Sequence, residues 1–196
     1  MCKPNPSPEK KQNITTKTLA CCALLAALSV VLARLFGLMP EESSRFSIEA
    51  VPIFLAGMLF GPIPGAMVGF CADFVGCLFS PFGYNPIFCL PPILYGLFGG
   101  VFRRFLAGKV TIPRLAISFL PPVVFGSILW QSFTLAYVYY SNTFWEGLIL
   151  KLTSRSVQFA IVLVLDVIII FLLFQTKIFT RLGFWPPNSI RKEETP

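Results

Sequence analysis

The sequence predicts an all-α membrane protein of six transmembrane helices, some of them broken by proline, with the N- and C-termini cytoplasmic. Three observations lead there. Hydrophobic residues make up 55% of the 196 positions and charged ones 13%, Phe alone occurs 21 times, and the mean hydropathy is +0.74. A soluble fold of this length has no interior large enough for that much apolar side chain. Long apolar runs recur along the chain, and since one span takes roughly 20 apolar residues, the length leaves room for about six. The cations are clustered: Lys3, Lys10, Lys11 and Lys17 at the start, Arg103, Arg104, Lys109 and Arg114 in the middle, and Lys177, Arg181, Arg191 and Lys192 at the end.

Those clusters set the topology. With six spans, both termini and the loop after the fourth helix face one side, so all three basic clusters lie together there, which is the cytoplasmic side by the positive-inside rule. The net charge of +7 is thereby a property of loops and points to no nucleic-acid partner. Residues 1–18 read as a basic cytoplasmic tail, 19–176 as the membrane domain and 177–196 as a second basic tail. The basic start followed by Leu19 to Ala33 resembles a signal peptide, but no small-residue cleavage site follows and Arg34 interrupts the run, so the segment is expected to stay as the first helix.

In chain order, helices are expected near Leu19 to Leu38, Ile48 to Phe60, Ile63 to Phe79, Ile87 to Phe102, Leu115 to Tyr140 and Ser156 to Phe174. The first carries Ala23 and Ala27, a small-xxx-small pair suited either to internal packing or to an external partner helix. On the third, Gly65, Gly69 and Gly76 share a face and read as close internal packing. Pro52, Pro62, Pro64, Pro91, Pro92, Pro121 and Pro122 lie within or beside spans, where freed backbone groups must be satisfied by neighbouring helices or a lined cavity. Broken segments of this kind build sites in transporters. The six cysteines mostly sit in apolar runs without CxxC spacing and read as small, buried and reduced.

The charges outside the basic clusters define a second region. Arg34, Arg45, Lys151 and Arg155, with Glu41, Glu42, Glu49 and Glu146, fall in the outer half or the outer loops. Asp73 and Asp166 sit inside their helices, where a charge costs about 2.5 to 3.5 kcal/mol and must face a partner or a cavity. For Asp73 a binding role and an interhelical hydrogen bond are both open, while Asp166 reads as structural. Single arginines near helix ends often snorkel to the interface; four cations together point instead to a polar outer site. Tyr84, Trp130 and Trp145 suit either an interfacial belt or a pocket wall.

Enzymatic chemistry finds no footing. Glu41, Glu42 and Arg45 are similar to the glutamate-rich motif of membrane-embedded prenyl-protein proteases, but the arginine falls one residue short and the histidine ligands of that metal site are missing altogether. No metal site and no cofactor are expected. The sequence also has no GxxxxGK[ST] loop for ATP.

The stretches RFSIEAVPIFLAGMLFGPIPGAMVGFCADFVG (Arg45 to Gly76), PFGYNPIFCLPPILYGLFGGVFRR (Pro81 to Arg104) and SRSVQFAIVLVLDVIIIFLLF (Ser154 to Phe174) resemble the folate branch of the S components of energy-coupling factor (ECF) transporters. The resemblance implies a six-helix protein of the bacterial cell membrane that captures a vitamin from outside. It implies docking through Ala23 and Ala27 onto a membrane T component carrying two ATPases, with bodily reorientation delivering the substrate. Folate joins a pterin, an aminobenzoyl ring and a glutamate. Its carboxylates suit arginine forks, nominating Arg34, Arg45 and Arg155. The adjacent N–H donors of the pterin suit a carboxylate, Glu49 or Asp73, with amide bonds from Asn85 and Gln158 and a stacking face from Phe82 or Tyr84. The alternatives are an S component for another vitamin, pantothenate or riboflavin, a membrane subunit that binds no small molecule, and a solo proton-coupled carrier.

Overall fold

The computed structural model describes residues 16–36, 48–78, 86–107, 110–139, 144–176, 178–181 and 184–185, and among them every regular element is helical. In chain order these are α1 (Thr16–Phe36), α2 (Ala50–Phe60), α3 (Pro62–Leu78), a 3-10 turn (Pro86–Cys89) leading into α4 (Leu90–Val101), α5 (Arg103–Ala107), α6 (Ile112–Pro122), a π-helical stretch (Val123–Trp130), α7 (Gln131–Tyr139), α8 (Phe144–Gln175) and α9 (Ile178–Arg181). Among the described residues, each of the six expected apolar runs contains a helix. Three are long and apolar enough to cross a membrane, Thr16–Ala33, Ile112–Tyr137 and Phe144–Gln175, and Ala50–Phe60, Pro62–Leu78 and Pro86–Val101 are shorter apolar helices. The chain is a multi-pass membrane protein.

The last long helix begins earlier than its apolar run suggests. Ser156 is the expected start, yet α8 begins at Phe144, so Glu146, Lys151 and Arg155 stand on a helix, not in a loop. Charged residues are good helix formers, and their polarity conceals the first three turns from a hydropathy reading.

At the centre lies α2, whose eleven residues are all buried. It packs against α1, α3, α4 and α8. Gly61, at φ 109, joins it to α3, a backbone conformation that suits glycine. Around this turn, α2, α3 and α4 approach through their glycines. A Cβ added at Gly57 would overlap the Gly96 carbonyl, one at Gly96 the Gly65 carbonyl, one at Gly69 the Pro92 carbonyl and one at Gly100 the Pro62 nitrogen. The face foreseen on α3 therefore holds for Gly65 and Gly69. Gly76 departs from it, with nothing within 4 Å of an added Cβ. Gly69 already meets Pro92, close to the first residue of α4, so two turns later α3 has run past its neighbour.

Phe54 of α2 stacks on Phe119 of α6 with ring centroids 4.0 Å apart, and Tyr95 of α4 tilts against the same ring at 6.0 Å. Large apolar side chains also point outward, among them Leu24, Leu28, Phe70, Val157 and Ile161, the surface a lipid solvent favours. Of the described cysteines, Cys89 is buried, Cys21, Cys22 and Cys77 are intermediate and Cys71 is exposed, so burial is less general than their apolar surroundings suggest. At the end where α2, α4 and α8 finish, α5 meets α2, α4 and α6, bringing Arg103, Arg104 and Arg114 together. Beyond α8, α9 is followed by Phe184 and Trp185, which fold back onto the bundle, Phe184 edge-on to Phe60 at 5.4 Å and Trp185 edge-on to Phe174 at 5.2 Å.

Candidate functional site

The opposite end of the bundle, where α1, α3 and α7 finish and α2, α4 and α8 begin, collects the polar side chains. Asp73 lies on α3 about a turn and a half before its end. Cys89, closing the 3-10 turn, hydrogen-bonds the Asp73 carboxylate. The carboxylate oxygen Oδ2 is buried without a hydrogen-bond partner among the described residues. A buried carboxylate oxygen left unpaired costs about 1 to 3 kcal/mol or more, so it is the kind of group that a donor from outside the chain satisfies.

The same 3-10 turn reaches the π-helical stretch, because Trp130 Nε1 donates to the Ile87 carbonyl at 2.8 Å. The next residue, Gln131, turns the other way and accepts through Oε1 from Arg155 Nη1 at 2.8 Å. Arg155 also lies over the Phe159 ring, 5.9 Å from its centroid, a favourable cation–π placement. Gln158, three residues further along α8, shares that helix face. Hydrogen bonds thus cross this end from the Asp73 carboxylate, through the 3-10 turn and the π stretch, to the Arg155 guanidinium.

The irregular helix that makes this crossing possible has a visible cause. Pro121 and Pro122 end α6; neither has an N–H to donate, and each ring crowds the carbonyl four residues earlier. Downstream the helix widens, and the Gln131 N–H is shared between the Gly126 carbonyl, five residues back, and the Ile128 carbonyl, three back. Such π segments are frequent at functional sites. Inside the bundle the same stretch contributes Ser127, hydrogen-bonded to Tyr95 at 2.9 Å in a buried pair.

Glu49 stands just before α2, its carbonyl accepting from Ser29 of α1 at 2.9 Å. Asp166, only 1% exposed on α8, interacts electrostatically with Glu49 and Tyr95 and keeps Oδ1 without a hydrogen bond among the described residues. Of the residues nominated from sequence, the structure connects Asp73 to Arg155 indirectly, by way of the 3-10 turn and the π stretch, and sets Gln158 beside Arg155. Glu49 lies deeper, near Asp166. The backbone of Arg34 lies in the last turn of α1, while Arg45, Phe82, Tyr84 and Asn85 lie outside the described residues. Ala23 and Ala27 are both exposed on α1. Among the described residues no group of three or more His, Cys, Asp or Glu is arranged to hold a metal.

Sequence reasoning missed Cys89 and Gln131. Gln131 did carry a signal, a lone amide in an apolar run, whereas nothing in the spacing pairs Cys89 with a residue sixteen positions earlier.

The fold is shared with known proteins. A crystal structure of FolT bound with folic acid superposes with a TM-score of 0.64 at 28% identity, covering 76% of this chain and 90% of that one. The folate transporter FolT of Clostridium novyi (strain NT) is 29% identical over 97 residues, 49% of this chain and 55% of that protein. The MG098 homolog of Mycoplasma pneumoniae is 29% identical over 111 residues, 54% of this chain and 23% of that protein. The chain thus spans about half the length of the first of these curated relatives and under a quarter of the second. The family model for the ECF-type riboflavin transporter S component matches residues 13–175, and over that span, most of its length, the chain belongs to this family of transporter subunits, which are not enzymes.

Proposed function

We propose that this protein captures folate at the outer face of the bacterial cell membrane and delivers it through a T component and two ATPases. The observation that carries the reading is the line of hydrogen bonds with an unsatisfied Asp73 oxygen at one end and Arg155 at the other. Folate needs both poles: a carboxylate for its pterin N–H groups and a guanidinium for its glutamate tail. The structural likeness to a folic-acid-bound protein supports the same ligand. Arg34, Arg45, Glu49, Phe82, Tyr84, Asn85 and Gln158 remain nominated for the same site. The test is titration of the purified protein with folic acid, pantothenate and riboflavin. Folic acid is expected to saturate, and Asp73→Asn and Arg155→Ala each to weaken it at least about tenfold, the loss of a charge-assisted hydrogen bond.

A second reading is favoured by the description of the matching family, which names riboflavin. Riboflavin has no carboxylate, so its binding would be indifferent to Arg155→Ala. Saturation by riboflavin with none by folic acid would sink the folate reading and leave the family standing.

The same proposal includes six spans with both termini cytoplasmic, supported by the gathering of Arg103, Arg104 and Arg114 at one end. A cysteine placed at Thr111 should react only from the cytoplasm; labelling from outside contradicts the topology. Docking onto the T component is assigned to the exposed Ala23 and Ala27, where small side chains let a partner helix approach closely. Ala27→Trp should abolish uptake by cells while ligand binding to the isolated protein stays within about twofold, because the residue faces away from the bundle.

A further inference from the structure

We infer that Gln131 is a positioning residue that aims Arg155 at the carboxylate end of the ligand, and that the π-helical stretch exists to place it there. The inference rests on the reading of Arg155 as a carboxylate grip.

An arginine side chain has several rotatable bonds, and ordering one costs up to about 2 kcal/mol. A grip already fixed in a binding geometry spares the ligand that cost. Gln131 Oε1 accepts from Nη1 at 2.8 Å and the Phe159 ring lies against the guanidinium. The Gln131 acceptor thus holds one nitrogen of the planar fork, with the Phe159 ring on its flank.

Gln131 is itself held. Its backbone N–H donates to the Gly126 carbonyl, five residues back, and to the Ile128 carbonyl, closing the π stretch. The residue before it is anchored to the 3-10 turn through Trp130 Nε1 and the Ile87 carbonyl. Consecutive side chains thus brace the rod on two sides, Trp130 towards α4 and Gln131 towards α8. An α-helix advances about 100° per residue, so a rod without the widened turns would turn a different residue towards α8. The Gln131 amide is also uncharged, so it orients the guanidinium without neutralising it, as a glutamate there would.

The experiment titrates the full-length purified protein with folic acid and with folic acid dimethyl ester, whose two carboxylates are masked. Gln131→Met keeps the length of the side chain and removes the acceptor. It is expected to weaken folic acid about tenfold, as for a lost hydrogen bond to a charged group, and the ester by less than about twofold. Gln131→Asn, with an amide one methylene shorter, should fall between Met and wild type and serves if the Met variant does not fold. Equal binding of folic acid by wild type and Gln131→Met overturns the inference, as does equal weakening of acid and ester, which marks a packing role. Arg155→Ala separates the two ideas. If it discriminates acid from ester and Gln131→Met does not, the positioning role alone fails; if it does not discriminate, the carboxylate grip fails and the inference with it.

Discussion

Two halves of the bundle are held together by different means. Around Gly61 the helices α2, α3 and α4 meet backbone to backbone, with glycines at the crossings and no room for a Cβ. Away from that crossing the π stretch is joined to its neighbours through side chains: Ser127 to Tyr95 of α4 inside the bundle, Trp130 to Ile87 of the 3-10 turn and Gln131 to Arg155 of α8 at the far end. Without a hydrophobic drive between helices in lipid, close packing and interhelical hydrogen bonds are the available forces. Close packing makes a rigid frame that tolerates no substitution. Hydrogen bonds make directional contacts that a ligand can join, so the frame and the candidate site divide the bundle between them.

The largest effect should come from breaking the frame. Gly96 touches α3 through the Gly65 carbonyl and lies opposite Gly57 of α2, so Gly96→Leu must push the helices apart. No folded protein is expected, read as loss of a monodisperse peak in detergent. Gly57→Ala should already cost about 3 kcal/mol, at or above the upper end for overpacking because the obstacle is backbone and cannot swing aside. If Gly57→Ala melted like wild type, the glycine crossing would not be what holds this half together.

Substitutions in the other half should be milder. Tyr95→Phe leaves Ser127, 2% exposed, without its buried partner, at a cost of about 1 to 3 kcal/mol, seen as a lower Tm with the protein still folded. Trp130→Phe keeps the ring bulk and loses the indole N–H, on a residue partly open to its surroundings; stability should fall by only about 0.5 to 1.5 kcal/mol. Its signature is in binding, a several-fold loss of folic acid affinity as the brace behind Gln131 loosens. A Trp130→Phe variant that lost stability as heavily as Gly57→Ala would place the π stretch within the frame.

The frame was far more legible than the site. Runs of apolar residues announce spans because a bilayer demands length and hydropathy from each helix alone, and the glycines of α3 announced a crossing by their helical spacing. The candidate site depends on pairs from separate helices. Asp73 with Cys89 and Gln131 with Arg155 are brought together only by the fold, and no period in the sequence encodes them. Polarity masked the first turns of α8. The consecutive prolines 121 and 122 signalled a disturbed helix, but the form of the disturbance is settled by what Trp130 and Gln131 reach across the bundle.

The smallest expected effect tests where the frame ends. Gly76 follows Gly69 by seven residues, nearly two full turns, and by spacing alone belongs to the same packed face. If that face continued, Gly76→Ala would clash as Gly69→Ala must, since a Cβ at Gly69 runs into the Pro92 carbonyl. Beyond Pro92, however, α4 has only two more residues before its start at Leu90, and an added Cβ at Gly76 meets nothing within 4 Å. With no obstacle, the intrinsic preference decides the sign: alanine is favoured over glycine inside a helix by about 0.5 to 1 kcal/mol. Gly76→Ala should therefore raise the Tm slightly while Gly69→Ala lowers it, two identical substitutions on one helix face with opposite outcomes. A fall in Tm for both would mean that another part of the chain covers Gly76, extending the packed frame up to the level of Asp73.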